Sequence, residues 1–468
     1  MPAGKRGTVQ SVVDGYLCTS CGACSGLCPT GSIEMFVNEF GVYVPRIDSA
    51  TCTDCGLCLE TCPGFSFDYA GFAVKIHGAL PEHVALGTSL DCYAGFSADR
   101  EILDSSQSGG VISTILVDCL EKRLIDGAVV TKWSEKSPFV PETFIARDRQ
   151  EILECVGSKY NPIPASGAIR EILRETGRFA FVGTPCQIQG LRKAEVLFPE
   201  IGERIVLYVG VHCLGVFTYH FIDQVLGKRG LKREDIASFR HRDKQWRGWP
   251  CDMRITTKSG QVVNIEANES RLWPRSFFTN WRCLLCFDKA NEFSDISCGD
   301  CRITEVQEIF RRAGHEIGKG LSEFVVRTPR GKKVVDHLIS ENKLRVSEID
   351  PGPLSASIGV AGKKLGLSTF FRVARFFRLG LPVYGVEFSN DSLKKSLKWK
   401  ILKPWAVFSS SRYFVVFYLS RNRWFRRFLA MIPHKALGGI NRILSSNVEW
   451  SFFSKTPDLS RKLVDGKD

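Results

Sequence analysis

Cys18-Thr-Ser-Cys21-Gly-Ala-Cys24-Ser-Gly-Leu-Cys28-Pro29 returns farther along the chain as Cys52-Thr-Asp-Cys55-Gly-Leu-Cys58-Leu-Glu-Thr-Cys62-Pro63. Three thiolates spaced by two residues wrap one face of an iron–sulfur cubane, because a short loop can aim all three inward. The fourth cysteine, just before proline, is too far along to close the same cage and reaches the neighbouring cluster. The expected ligand sets are Cys18, Cys21, Cys24 with Cys62, and Cys52, Cys55, Cys58 with Cys28. Gly22 and Gly56 let backbone N–H groups approach sulfide with no side chain in the way. Zinc usually takes paired CxxC units, not a CxxCxxC triple repeated with its proline. Disulfides need an oxidising compartment, and the opening MPAGKRGTVQ carries no apolar stretch of signal-peptide type. The pattern predicts two [4Fe–4S] clusters in a cytoplasmic protein.

Working outward, Ser32-Ile-Glu-Met-Phe-Val and Phe40-Gly-Val-Tyr-Val-Pro45 read as short strands joined through Asn38-Glu39. Residues 8–67 then form one internally repeated, bacterial-type ferredoxin domain. The whole chain has 468 residues, room for two to four domains. A mean hydropathy of -0.05 excludes a polytopic membrane protein. The net charge of +13 is unevenly spread: residues 363–468 hold 21 Lys+Arg against 6 Asp+Glu, and the remainder 42 against 44. The basic excess belongs to the tail.

Between 88 and 345 no GxGxxG follows a strand and no GxxxxGK[ST] occurs, so the commonest nucleotide signatures are absent. Three other segments stand out. Ser106-Gln-Ser108-Gly109-Gly110 runs into the apolar Val-Ile-Ser-Thr-Ile-Leu, a small-residue loop before a helix whose free N–H groups suit a phosphate. Gly157-Ser158-Lys159-Tyr160 is a small, basic and aromatic cluster. Phe179-Ala-Phe-Val182 reads as a buried strand breaking into a loop, Gly183-Thr184-Pro185-Cys186-Gln187, that carries a thiol.

Taken in order, SQSGGVIS, GSKY, GTPCQIQGLRK, HCLGV, WRCLLC and DISCGD resemble the coenzyme F420 hydrogenase/dehydrogenase beta-subunit family, over about residues 10 to 345. The resemblance implies an α+β protein: a two-cluster ferredoxin domain fused to an α/β flavin-binding body at 88–345. It also implies FAD, with Ser108, Gly109, Gly110, Ser158, Lys159, Tyr160 and the loop Gly183, Thr184, Pro185, Gln187 lining its site. Lys159 would offset the diphosphate, Tyr160 would stack or hydrogen-bond, and Gln187 would donate to the flavin edge. Cys186, Cys213, Cys283 and Cys286 fall where the family keeps thiols, which implies a third [4Fe–4S] cluster. The residues alone leave two alternatives: zinc, because Cys283, Cys286, Cys298 and Cys301 have zinc-ribbon spacing, or unligated thiols. Cys92, Cys119, Cys155 and Cys251 are isolated and read as buried small hydrophobes.

Arg240-His-Arg-Asp-Lys244-Gln-Trp246-Arg-Gly248-Trp249 gathers cations and indoles, suiting either a clamp for an anionic planar substrate or a surface strand edge. His212 and His241, the histidines nearest the motifs, read as structural. Gly320–Gly331 reads as strand and turn, with a helix at 332–340. Residues 355–468 form a basic, aromatic, mainly helical extension. Phe370-Phe-Arg372-Val-Ala-Arg375-Phe-Phe-Arg378 and Arg421-Asn-Arg423-Trp424-Phe425-Arg426-Arg427-Phe428 suit an anionic membrane surface, at its inner face, or an acidic partner. Nucleic acid is not expected.

The function that follows is an iron–sulfur flavoprotein oxidoreductase. It would have a redox partner protein or ferredoxin and a small-molecule hydride donor or acceptor, either reduced coenzyme F420 or an organic substrate. The alternatives are a non-catalytic electron-relay subunit of a larger redox complex and a reductase in polysaccharide or envelope biosynthesis.

Overall fold

The computed structural model describes residues 7–83, 85–272, 275–386 and 410–431. In the N-terminal unit, β1 (Ile33–Val37) pairs antiparallel with β2 (Tyr43–Ile47), Ile33 opposite Ile47 and Val37 opposite Tyr43. The two cysteine arrays each enter a short helix, Ala23–Leu27 and Leu57–Glu60, through a left-handed glycine, Gly22 and Gly56. A side chain at Gly22 would also put its Cβ 2.4 Å from the Pro164 carbonyl oxygen, so the ferredoxin unit meets the body where only glycine fits.

The body is built on an eight-stranded sheet. Its strands are β3 (Asp91–Ser97), β4 (Gly127–Ser134), β5 (Ser137–Ala146), β6 (Phe179–Gly183), β7 (Ile205–Val211), β11 (Ile296–Asp300), β12 (Ser322–Val326) and β13 (Leu344–Glu348), in the order β13-β3-β12-β11-β7-β6-β4-β5. The strands β8 (Ile236–Asp243), β9 (Asp252–Thr257) and β10 (Val262–Ile265) form a separate antiparallel sheet. Within the large sheet β11, β7, β6 and β4 run parallel. β3 is antiparallel to β12, itself antiparallel to β11, so β3 shares their direction. Alternation along the strands separates two cores. Ala180, Leu207 and Val209 face one core with Val111 and Ile115 of helix Val111–Glu121. Phe179, Phe181 and Tyr208 face the other, with Ile188 and Leu191 of helix Pro185–Leu197 and with Phe67 and Tyr69 beyond the ferredoxin cysteines.

Two local expectations shift. Cys186 is not in a loop: Thr184 and Gln187 form a capping box, Pro185 takes the first helical position, and the helix starts directly after β6. The helix expected at 332–340 starts at Pro329, capped by Thr328 accepting the Gly331 N–H.

The tail differs more. It is not a separate appendage over its described residues. Helix Val360–Phe376 buries Phe370, Val373 and Ala374 in one core with Leu17, Val12 and Trp281, and residues 410–419 bring Phe414 and Phe417 into it. Phe417 stacks on Phe40 of the ferredoxin unit, ring centres 5.0 Å apart. Burying such a ring contributes roughly 1.5–3 kcal/mol, and the aromatic contact about 1 kcal/mol more. The basic stretches 387–409 and 432–468 lie outside the described residues.

Candidate redox site

Because β3, β4, β6, β7 and β11 point the same way, the loops after them gather at one edge of the sheet, where open α/β sheets place ligands. A cavity of about 470 Å³ opens there. Ser108, Gly110, Ser158, Lys159, Tyr160, Gly183, Thr184, Pro185 and Gln187, drawn from three separate segments, all line it. Gly109 alone of the expected set stands behind the wall. Its N–H donates to Ser322 Oγ at 3.0 Å, and a Cβ there would lie 2.4 Å from the Gly95 carbonyl oxygen. Gly110 holds the left-handed conformation from which helix Val111–Glu121 starts.

The polar side chains have distinct roles. Gln187, expected to donate to a flavin edge, also has a role within the protein. Its Oε1 accepts from Thr184 N at 2.7 Å and its Nε2 donates to Ile163 O at 2.8 Å, so it fixes the loop. Lys159 Nζ donates to the carbonyls of Cys155 at 2.7 Å and Gly157 at 3.0 Å, and burial lowers its pKa to about 8. Tyr160 sets its hydroxyl 3.5 Å from Arg242 Nη1. Gln107, not singled out in the sequence, locks two of the loops together. It accepts from Ser158 N at 2.6 Å through Oε1 and donates to Ser158 Oγ through Nε2.

Cys18, Cys21, Cys24 and Cys62 are brought together at the first cluster position. Burial pushes the Cys21 thiol up to about 11, with Cys62 adding to it, and pushes Cys24 up with Cys21, Cys18 and Cys62 adding. Cys58 is raised by burial, with Cys55 and Cys52 contributing. Burial also opposes ionisation of Cys28, but the Thr30 hydroxyl and the N–H groups of Ser32, Thr30 and Gly31 outweigh it and lower its pKa, as a thiolate cradle should.

The family-implied third set also converges. Cys186 is raised by burial, with Cys21, Cys213 and Cys286 adding. Cys213 is pushed to about 12, again first by burial, then by Cys283. All four thiols line the cavity. Cys186 adjoins the first cluster: its Sγ lies 4.0 Å from Thr19 O, and a Cβ on Gly190, one turn on, would sit 3.5 Å from Cys21 Sγ. Among the described residues no three His, Cys, Asp or Glu side chains close on a point tightly enough to hold a single ion. Cys298 and Cys301 part company: Cys298 lines the cavity with Cys283 and Cys286 and packs with Val209 and Phe324, whereas Cys301 packs with Leu321 and Phe310 in a different core. Three residues apart about a strand end, they face opposite ways. Cys92, Cys119 and Cys251 are buried, as expected of small hydrophobes, but Cys155 is only part-buried because it lines the cavity.

Of the Arg240–Trp249 segment only Arg242 lines the cavity, and its Nη1 is paired with Asp300 at 2.6 Å. Lys244 Nζ binds the carbonyls of Leu103 and Ser108, and Trp246 is exposed. The segment is mainly structural. His212 and His241, each lowered to about 3 by burial, are neutral, and His241 Nε2 lies 2.9 Å from Asn161 Oδ1. Sequence reading missed Glu323, a cavity-lining acid raised by burial to about 8 whose carboxylate accepts from Ser357 Oγ at 2.7 Å. Nothing in the local pattern of a strand residue marks it.

Both halves of this body have counterparts among known proteins. Residues 92–170 match the family model for the N-terminal part of the coenzyme F420 hydrogenase/dehydrogenase beta subunit, and residues 176–352 match the model for its C-terminal part. Residues 17–64 match a 4Fe-4S dicluster domain. The coenzyme F420 hydrogenase subunit beta of Methanosarcina barkeri is 24% identical over 282 residues, which cover 57% of this chain and 86% of that protein. The protein of the same description from Methanothermobacter thermautotrophicus is 26% identical over 281 residues, covering 58% and 89%. A chain of the F420-reducing [NiFe] hydrogenase complex from Methanosarcina barkeri aligns with a TM-score of 0.48 at 22% identity, covering 64% of this chain and 97% of that one. With a ferredoxin-like dicluster unit joined to both halves of that beta subunit, the chain belongs to the coenzyme F420 hydrogenase/dehydrogenase beta-subunit family.

Proposed function

We propose that the chain is an iron–sulfur flavoprotein oxidoreductase. It passes electrons between ferredoxin-type [4Fe–4S] clusters and FAD, with reduced coenzyme F420 or an organic substrate exchanging hydride at the flavin. One observation carries this reading: the residues expected around the flavin, all but Gly109, and the four thiols of a third centre line the same cavity. FAD supplies the exchange between two-electron hydride chemistry and one-electron transfer. Lys159, Ser108 and the free N–H groups at the start of helix Val111–Glu121 would hold its phosphates. Tyr160 would meet its ring system, and protonated Glu323 would hold a proton at the wall. Cys186, Cys213, Cys283 and Cys286 would carry the third [4Fe–4S] cluster, in line after the Cys52 and Cys18 sets.

The relatives named as hydrogenase subunits support a redox partner protein for this chain as well. Helix Arg423–Met431 packs inward through Phe425, while Trp424 and Phe428 stay 71% and 44% exposed beside the exposed Arg421 and Arg423. We assign this aromatic, basic face to an anionic membrane surface. Among the described residues no helix is long and apolar enough to cross a membrane.

Anaerobic purification with iron, sulfide, zinc and flavin measured on one sample tests the proposal. About twelve irons with one bound flavin per chain is expected. Iron and sulfide without flavin, even after FAD is added, would leave only the electron-relay reading, and stoichiometric zinc would replace the third cluster.

A further inference from the structure

Two neighbouring guanidiniums at the cavity differ in their pairing: Arg242 has a carboxylate and Arg271 has none. Arg242 gives Nη1 to Asp300 at 2.6 Å and Nε to the Pro250 carbonyl at 3.2 Å. Arg247 closes a two-pronged pair with Asp252, at 2.6 and 2.9 Å. Arg271 lines the cavity and is only 8% exposed. Its Nη2 donates to the same Pro250 carbonyl at 3.1 Å, while its buried Nη1 has no hydrogen-bond partner. Two cationic side chains thus converge on one carbonyl, and the nearby carboxylate of Asp300 already serves Arg242.

This arrangement is costly unless something completes it. A buried guanidinium lacking a carboxylate and holding an unsatisfied N–H is strongly disfavoured. Burial and the Arg242 charge both work against the Arg271 cation, and among its neighbours Tyr160, Cys251 and Asp300 favour it, none by direct pairing. A phosphate or carboxylate entering the cavity would supply the missing acceptor and the missing charge together, and a guanidinium matches either with two parallel hydrogen bonds.

We propose that Arg271, with Arg242 beside it, forms an anion-receiving site in the cavity wall that takes a phosphate or carboxylate group. The group comes either from the flavin's own diphosphate or from an anionic second substrate; that choice rests on the flavin reading, whereas anion capture by Arg271 does not. The site is separate in the chain from Lys159, so the cavity offers two anchors for one long anionic ligand or for two ligands.

Calorimetry with inorganic pyrophosphate on the full, cluster-bearing chain tests the site without turnover. Wild type should bind it, Arg271→Gln about tenfold or more weakly, and Arg271→Lys in between, with iron content and melting temperature unchanged in Arg271→Lys. Affinities for FAD and for riboflavin then assign the source. A loss of about tenfold for FAD but not for riboflavin places the flavin diphosphate on Arg271. An unchanged FAD affinity with a KM for reduced coenzyme F420 raised about tenfold places the second substrate's anion there. Pyrophosphate binding that is absent from wild type, or equal in all three proteins, overturns the proposal. A wild-type chain that binds pyrophosphate through Arg271 but takes up no flavin would sink the flavin reading and leave this site standing.

Discussion

Arg282 donates through Nε to the backbone carbonyl of Leu17, 3.1 Å away, and through Nη2 to the carbonyl of Pro63 at 3.2 Å. Leu17 precedes Cys18 and Pro63 follows Cys62, so one buried guanidinium, next to Cys283, grips both ends of the first cluster's ligand set. It joins the ferredoxin unit to the cavity as one body. Arg282→Met would leave buried carbonyls without donors, at about 1–3 kcal/mol each. Urea denaturation should show a loss of several kcal/mol, and iron should become labile at the Cys18 set. A variant as stable as wild type would show that the grip is incidental.

Replacing a third-set thiol should subtract one cluster and no more. Cys286→Ser is expected to lower iron from about twelve to about eight per chain, with the Cys18 and Cys52 sets retained. Unchanged iron would remove Cys286 from the ligand set. Loss of zinc instead would favour the ribbon.

Flavin binding should depend on pH through Lys159. Burial lowers its pKa from 10.5 to about 8, against a small opposing effect of Cys155, with Arg240 acting in the same direction as burial. The sign follows: below about pH 8 the ammonium is present in both folded and unfolded chains, and its burial opposes folding in full. Between about pH 8 and 10.5 the folded chain has shed this proton while the unfolded chain still holds it, so stability rises with pH across that window, and above about 10.5 the charge penalty is gone. An anionic ligand needs the charged form, so FAD affinity should be steady below about pH 8 and fall above it. Fluorescence titration should show the fall in wild type, and a weaker, flatter profile in Lys159→Met. A wild-type profile flat to pH 10 would take Lys159 out of phosphate binding.

The tail should divide into a structural and a docking part. Phe417→Ala, which removes the ring stacked on Phe40, should cost about 3–5 kcal/mol in denaturation. The double change Trp424→Ser with Phe428→Ser should leave stability within about 0.5 kcal/mol yet abolish co-sedimentation with phosphatidylglycerol vesicles. Equal sedimentation of variant and wild type would show that this face does not meet lipid.

What could be read from the chain and what could not divides along physical lines. Cys18 to Cys62 were legible because a cubane's ligands sit within one or two turns of each other, so spacing alone encodes the geometry. That Ser108, Lys159 and Thr184 belong to one set could be read only through the resemblance, since they meet at a sheet edge assembled from strands far apart. Gln107, Arg282 and Glu323 were missed because each owes its place to a partner on a distant segment. Composition marked the tail as basic, but charge says nothing of where Phe414 and Phe417 point, and those rings place part of it in the core.

The most direct test is an anaerobic reductive titration of the FAD-loaded chain, followed by visible absorbance and electron paramagnetic resonance. Three one-electron clusters and one two-electron flavin in a single chain predict uptake of about five electrons, with the flavin band bleaching as the cluster signals grow. Uptake of about two electrons, with no flavin band to bleach, would contradict the account.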